Sequence, residues 1–238
     1  MPRVECAPIG IESVTSSQTT GAHSLILEEI ALSEPDPQRM DSGLLIAKDL
    51  HLLSLDICEK TFGVWNIKTA KHIDNLGRVF QALKRNTLAE QLYLKAISIQ
   101  ERFLGPNDFE VGLSIEHLAS LYNYQMGEYK KAEALYLRSV QISLDAFGPG
   151  YSGLEYDYQG LQSVYREMNN IDKMREYIQI FDEWYEYRQH HVPLFSSAIV
   201  EDAMKDYLEP SSPSVTHLDT IWREFRYIFE TQLGGVRN

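Results

Sequence analysis

The sequence has few cysteines and few basic residues. Its 238 residues include only two cysteines, Cys6 and Cys58, which disfavours a disulfide framework or a zinc site. The 22 Lys and Arg residues are outnumbered by 34 Asp and Glu, so the formal net charge is -12. Because such an acidic surface repels phosphate backbones and anionic lipid headgroups, the composition predicts no nucleic-acid partner and disfavours binding to lipid surfaces.

The apolar residues are not gathered into long runs. No apolar stretch approaches the ~18 residues that a membrane span requires. The first residues, MPRVECAPIGIESVTSSQTTGAH, also lack the compact apolar stretch of a secretory signal. These absences predict a cytoplasmic protein that does not insert directly into a membrane.

The common sequence motifs of enzymes are missing as well. There is no glycine-rich phosphate-binding loop, no HExxH, no GxSxG and no paired CxxC. His190 and His191 are adjacent, whereas a metal site on a helix favours histidines four positions apart. We therefore predict no enzymatic activity, no cofactor and no metal site.

What the sequence does contain is a repeated unit. LYLKAISIQERFLGPNDFE (92–110) aligns with LYLRSVQISLDAFGPGYSG (135–153) at an offset of 43 positions. LHLLSLDICEKTFGVWNIK (50–68) aligns with the first of these strings at an offset of 42. The segments upstream also match, and HLASLYNYQMGEYKKAEALYLRSV (117–140) is the best-preserved copy. Apolar residues three and four apart, separated by short Gly, Pro or Asn breaks, predict pairs of amphipathic helices.

Matching positions of the repeats carry residues of matching size. Small residues let the two helices of a pair approach closely, and they are Gly77, Ala89, Ala119 and Ala132. Large residues fill the space between the helices, and they are Phe80, Tyr93, Tyr122, Tyr136, Tyr165 and Ile178. In the third unit, Gln162 and Met174 replace the small residues, so we expect looser packing or a terminal cap there. Gly63, Gly105 and Gly148 are expected to end the second helix of each pair in a left-handed conformation.

This pattern is similar to the tetratricopeptide signature, in the longer form seen in kinesin light chains. We therefore predict an all-α, helix-pair solenoid with a C-terminal capping helix, because one pair cannot bury its apolar face alone. We expect residues 1–41 to be disordered or partly helical, with a short helix or strand at 23–32. We expect the repeats within residues 42–190, and C-terminal helices and a tail within residues 191–238. Within 42–190 we expect helix B of an incomplete repeat at 43–62, without a first helix, and full repeats at about 69–111, 112–154 and 155–189. In the tail we expect a short helix at 195–208 and an amphipathic capping helix at 215–233.

The inner face of such a solenoid is the candidate functional surface. The first helix of each pair lines that face with amide, hydroxyl, aromatic and basic side chains. The candidate peptide-binding residues are Lys71, Asn75, Arg78, Gln81, Asn123, Tyr124, Gln159 and Arg166. Asn and Gln can bond both the N–H and the C=O of an extended peptide, and arginine can pair with a carboxylate.

Four strings carry a more specific resemblance: GVWNIKTAKHIDNLGR, HLASLYNY, AEALYLRSV and GYSGLEYDYQGL. Together they resemble the repeats of the amyloid protein-binding protein 2 family over about residues 50–187. The resemblance implies an adaptor that binds the cytoplasmic tail of a transmembrane cargo and acts in intracellular protein transport with microtubule motors. It also implies a substrate-recognition subunit of a cullin–RING ubiquitin ligase that docks through elongin B and C. A cytoplasmic protein, associated with microtubules or membranes or also present in the nucleus, is the implied location.

The sequence matches the expected elongin-docking helix poorly. The nearest string, PLFSSAIVED, places Asp202 where an apolar side chain should insert, and a buried unpaired carboxylate is costly. The alternative hypothesis is a scaffold fragment that lacks ligase docking and associates with itself through the exposed repeat end near 42–62 and the helix at 215–233.

Overall fold

The computed structural model describes residues 24–191, and within them every regular element is helical, with no strand. The predicted all-α fold is confirmed. Residues 24–32 form a first helix, α1. The following helices are α2 (Pro37–Phe62), α3 (Ile67–Ala82), α4 (Asn86–Leu104), α5 (Phe109–Leu121), a π-helix (Tyr122–Met126), α6 (Tyr129–Phe147), α7 (Leu154–Glu167) and α8 (Ile171–His191).

The chain divides into two compact units, residues 1–185 and 186–238. Of the second unit, only the end of α8 lies within the described residues. The predicted helix at 195–208, the capping helix at 215–233 and the elongin-like string with Asp202 lie outside the described residues. The proposed bounds of the full repeats, 69–111, 112–154 and 155–189, remain predictions.

The first helix pair differs from the sequence prediction. The sequence predicts a repeat at 43–62 without a first helix, and a short helix or strand at 23–32. Residues 24–32 form the helix of these two alternatives, and this helix packs on α2 as the first helix of that repeat: Ser24 Oγ lies 2.9 Å from His51 Nδ1 and Glu28 Oε2 lies 3.7 Å from His51 Nε2. The breaking residues around Pro35 form only the turn between the two helices, because Asp36 caps α2 by accepting a hydrogen bond from the Gln38 amide.

The helices α2, α4 and α6, each the second of a pair, end at a glycine, as predicted. Gly63, Gly105 and Gly148 have φ of 84°, 95° and 75°, and each amide donates to the carbonyl four residues earlier. Their ψ values lie near 160° or 180° rather than in the left-handed helical region. Only glycine adopts such backbone angles readily, which explains why the three breaks share this residue.

Tyrosines from the second helices pack against the small residues of neighbouring first helices. Tyr93 is fully buried, and a Cβ placed on Gly77 would lie 2.8 Å from its Cε1 atom. Tyr136 occupies the equivalent position one unit later, and its ring lies against Gly160. The predicted core is confirmed at the other small positions too, because Ala89, Ala119 and Ala132 have no exposed surface; these contacts place the helix pairs side by side.

The third pair shows one error in the predicted helix register. Ile178, expected to fill the space between α7 and α8, has 40% of its surface exposed. Tyr177 and Trp184 face α7 instead, with ring centroids 5.4 Å from Tyr165 and 6.1 Å from Tyr158. The prediction was wrong because the aligned position carries an aliphatic residue, whereas the larger aromatic side chain precedes it by one position.

A substitution at Gly77 tests this packing. Gly77→Ala should lower the free energy of unfolding by about 1–3 kcal/mol, because the added methyl group overlaps a buried ring. In an unconstrained helix the same change would increase stability. Urea unfolding measures the difference. Gly112→Ala is the matched control with a smaller expected loss, since its Cβ would meet the Ile142 side chain at 3.0 Å. A more stable Gly77→Ala protein would contradict the packing described.

Candidate peptide-binding face

The first helices of successive pairs lie next to one another. We call the surface formed by α3, α5 with its π-helix, and α7 the helix-A face. A hydrogen bond of 2.9 Å joins Asp74 Oδ2 on α3 to His117 Nδ1 on α5. Asn123 on the π-helix donates through Nδ2 to the carbonyl of Gly160 on α7, at 3.4 Å. These contacts join α3 to α5 and the π-helix to α7.

The eight predicted peptide-binding residues differ in exposure. Lys71, Tyr124, Gln159 and Arg166 are exposed; Asn75, Arg78 and Gln81 are half-buried; Asn123 is buried. The exposed residues are distributed over all three of the elements that form the helix-A face. Their role in binding remains a prediction, and the exposed members are the ones that a ligand can reach without rearrangement.

The predicted cations are paired with carboxylates of the same chain. Arg78 Nη2 lies 3.1 Å from Glu28 Oε1, and Glu28 is itself 2% exposed. Lys71 pairs with Glu110 at 3.5 Å, and their side chains are 63% and 39% exposed. Arg78 therefore fastens α1 to α3, whereas the solvent-screened pair of Lys71 can exchange for a ligand at little cost.

Two of the predicted amides have partners inside the protein. Gln81 Oε1 accepts a hydrogen bond of 2.8 Å from the hydroxyl of Tyr93. Asn123, which is 4% exposed, uses its amide nitrogen on Gly160. Both side chains hold neighbouring helices in place, a use that spacing in the sequence did not reveal.

A π-helix that the sequence analysis did not predict interrupts the middle of the helix-A face. The string from His72 to Tyr93 has 22 residues, and its counterpart from Ser114 to Tyr136 has 23. The wider turn of the π-helix accommodates the additional residue. The difference in length between the two strings was the available signal.

The π-helix carries Tyr124, which is 59% exposed. A second tyrosine on the helix-A face, Tyr156 on α7, is 66% exposed. The tyrosines that pack between helices, by contrast, are almost completely buried: Tyr93, Tyr122, Tyr136, Tyr158 and Tyr165. The helix-A face therefore displays two aromatic side chains, whereas the tyrosines that pack between helices are buried.

A group of titratable side chains lies beneath this face. Burial opposes protonation of His117, but the adjacent Asp74 carboxylate outweighs it and raises the pKa of His117 above its ordinary value. Burial raises the pKa of Glu116. Burial, together with the charge of Glu116, raises the pKa of Asp157 to about 8, although a 3.1 Å hydrogen bond from Ser139 opposes the increase. Asp157 therefore holds a proton at neutral pH.

Within residues 24–191 no group of three or more His, Cys, Asp or Glu side chains could hold a metal ion. No helix in that part of the chain is both long enough and apolar enough to span a membrane. Cys58 is buried, as expected.

Comparison with known proteins supports the repeat interpretation. The sequence model described as tetratricopeptide repeat matches residues 66–145. The chain is a tetratricopeptide repeat protein. It is 46% identical over 193 residues to amyloid protein-binding protein 2 of Mus musculus and, over the same length, of Rattus norvegicus. The alignment covers 81% of this chain and 32% of each relative, so the chain spans about a third of their length. The resemblance inferred from the four strings is confirmed.

Solved structures show the same fold. BtubC (BKLC) from P. vanneervenii matches with a TM-score of 0.61 and 20% identity, covering 75% of this chain and 68% of that one. A putative kinesin light chain of Podosopora anserina with nearly identical TPR-like repeats matches with a TM-score of 0.59 and 13% identity, covering 91% and 97%. At these identities the likeness concerns the fold alone, and it confirms the predicted helix-pair solenoid.

The raised pKa of Asp157 predicts a pH dependence of stability. The folded state keeps a proton that the unfolded chain loses above about pH 4. The buried, protonated Asp157 therefore stabilises the folded state fully below the pKa of the unfolded chain. This stabilisation is lost as pH rises towards about 8, and the free energy of unfolding falls by up to about 1.4 kcal/mol per pH unit. Asp157→Asn should flatten the profile of unfolding free energy between these limits, as measured by urea unfolding. The control is Asp172→Asn, an exposed position on α8, and superimposable profiles for wild type and Asp157→Asn would contradict the assignment.

Proposed function

We propose that this chain is a peptide-binding adaptor, without catalytic activity of its own, whose helix-A face holds an extended segment of a partner protein. The repeat family supports this proposal, because stacked helix pairs present long continuous surfaces and in general serve as binding scaffolds. The single observation that carries it is the exposure of Tyr124 and Tyr156 on the helix-A face. Exposed aromatic side chains among polar neighbours are typical of binding surfaces.

The exposed side chains favour a ligand in an extended conformation. Gln159 and the half-buried Asn75 can each donate to a carbonyl and accept from an amide of the ligand backbone. Tyr124 and Tyr156 supply apolar surface, each with a polar hydroxyl group. Arg166, whose side chain is 66% exposed beside Glu167, can pair with a carboxylate of the ligand.

We propose the cellular setting by analogy with the relatives. Their name describes them as binding amyloid protein. We infer by analogy that the ligand is a cytoplasmic tail of a transmembrane cargo or a chain terminus, and that the adaptor serves intracellular transport or substrate recognition for a cullin–RING ligase. Cytoplasmic, microtubule-associated and nuclear locations belong to the same proposal, as do motor and elongin B/C partners.

The alternative of self-association through the end near residues 42–62 receives less support. Helix α1 covers one side of α2, where Leu44, Ala47 and His51 are completely buried. A partner copy would have to use the remaining, outward side of α2. Light scattering distinguishes the two functions, because the adaptor proposal predicts a monomer at tens of micromolar.

Removing the two exposed tyrosines tests the proposed function. An array of cytoplasmic-tail peptides identifies a ligand of the full-length chain, for which roughly micromolar affinity is expected. The double substitution Tyr124→Ala and Tyr156→Ala should weaken that ligand by roughly tenfold or more, as measured by calorimetry, because both side chains supply contact area.

The matched control is Tyr185→Ala, because Tyr185 is 53% exposed on α8, away from the helix-A face. Binding that survives the double substitution but is lost in the control would place the ligand elsewhere and overturn the proposal. Unchanged circular dichroism in all variants verifies that folding is intact.

A further inference from the structure

A second exposed patch lies where the ends of α2 and α4 meet. We call Val64, Trp65, Lys68, Arg102 and Phe103 the Trp65 patch. Trp65 is 54% exposed, Phe103 51% and Val64 41%. The guanidinium group of Arg102 lies 5.2 Å from the centroid of the Trp65 ring and 6.0 Å from that of Phe103, so the apolar and basic groups form one surface.

The loop that displays Trp65 is held in a fixed conformation. The Gly63 amide donates to the carbonyl of Glu59 at 3.0 Å. The Gly63 carbonyl accepts a 2.9 Å hydrogen bond from the hydroxyl of Thr69, which is fully buried. Asn66 caps α3 by accepting from the amide of Lys68 at 2.9 Å. The outward position of Trp65 is therefore set by the backbone, which reduces the entropy that a partner would lose on binding it.

The charge of the patch is positive, unlike that of the chain as a whole. Lys68 lies 4.5 Å from the centroid of the Phe62 ring, and among residues 24–191 no carboxylate forms an ion pair with Lys68 or Arg102. The acidic residues near the ends of these helices have other partners. Glu59 pairs with Lys95 at 3.9 Å, and Glu101 pairs with Arg138 at 2.7 Å.

We propose that the Trp65 patch is a second docking surface, which binds an acidic protein segment carrying an aromatic or large aliphatic side chain between its carboxylates. Charge complementarity selects this occupant, because Arg102 and Lys68 are free to pair with carboxylates while Trp65 and Phe103 cover the apolar side chain. Tryptophan and arginine are also the residue types that contribute most to protein interfaces. Except for Lys68 at the start of α3, the residues of the patch lie outside the elements that form the helix-A face, and this proposal does not depend on the function proposed for that face.

The aromatic side chains near the end of α6 provide a contrast. Phe109 at the start of α5, Phe147 at the end of α6 and Tyr151 in the following loop contact one another, with ring centroids 4.6 to 5.6 Å apart. In the described part of the chain no cation lies over these rings. Phe147 is nevertheless 53% exposed. Phe147→Ala is therefore a matched control, because it removes an equally exposed ring from the end of another second helix without changing the Trp65 patch.

The test is a selection from a random dodecapeptide library displayed on phage, using the full chain as bait and the Arg102→Glu protein for counter-selection. The recovered peptides should combine several carboxylates with an aromatic or large aliphatic residue. Fluorescence polarisation with the consensus peptide should show roughly tenfold weaker binding to Trp65→Ala and to Arg102→Glu, and a change within about twofold for Phe147→Ala and for Arg175→Glu, a charge-matched control on α8. The Tyr124→Ala and Tyr156→Ala protein should bind as wild type does.

Four outcomes would overturn the proposal. The first is a selection that yields no enriched peptide, or only basic ones. The second is a consensus peptide that binds the Arg102→Glu protein as tightly as wild type. The third is Trp65-dependent binding to phosphatidylserine vesicles in place of peptide, which would identify a lipid surface as the occupant. The fourth is self-association of the chain that Arg102→Glu abolishes, which would identify a second copy.

Discussion

The contact between a buried tyrosine and a residue without a side chain sets the geometry of this molecule. Tyr93 fits against Gly77 within one helix pair, and Tyr136 fits against Gly160 of the next pair. Because each ring fills the space that a side chain would occupy, the helices approach closely and the pairs stack side by side. That stacking places Asp74 beside His117, although 43 positions separate them in the sequence. The helix-A face exists because such contacts join helices both within a pair and between consecutive pairs.

The same stacking divides the polar residues into two groups with different uses. Arg78, Gln81 and Asn123 join neighbouring helices through buried partners, and the helix-A face depends on them for its shape. The ion pairs of Lys71 and Arg166 are open to solvent, so they contribute little to stability and exchange readily. A surface of this kind combines a rigid support with side chains that can change partners, which is what recognition of an extended segment requires.

Much of the fold could be predicted from the sequence, because the repeated positions carry the small and large residues that close helix packing requires in every unit. The small residues, the packing tyrosines and the three glycine breaks all lie where the alignment of the strings placed them. The failures have local causes. The described stretch of α1, residues 24–32, is too short to show a convincing periodicity, and Ile178 aligns with packing tyrosines although its neighbour Tyr177 makes the contact. In the sequence, the single-residue insertion that produces the π-helix was visible only as a difference in length between two aligned strings, His72–Tyr93 and Ser114–Tyr136.

The candidate site was less predictable than the fold. Position in a repeat indicates which side of a helix a residue occupies, but it does not indicate whether a neighbouring helix already supplies a partner. Asn123 illustrates the difference, since its position in the repeat predicts contact with a ligand and yet its side chain bonds to Gly160. The partner of Arg78 is Glu28, in a segment that carried no repeat signal.

The central claim is that stacked first helices form one surface that holds a guest peptide, and photo-crosslinking tests it most directly. A benzoylphenylalanine introduced at Tyr124 or at Tyr156 should crosslink to the same bound peptide. The same group at Leu94, which is 48% exposed on α4, should not. Crosslinking from Leu94 alone, or from neither tyrosine position, would contradict the account.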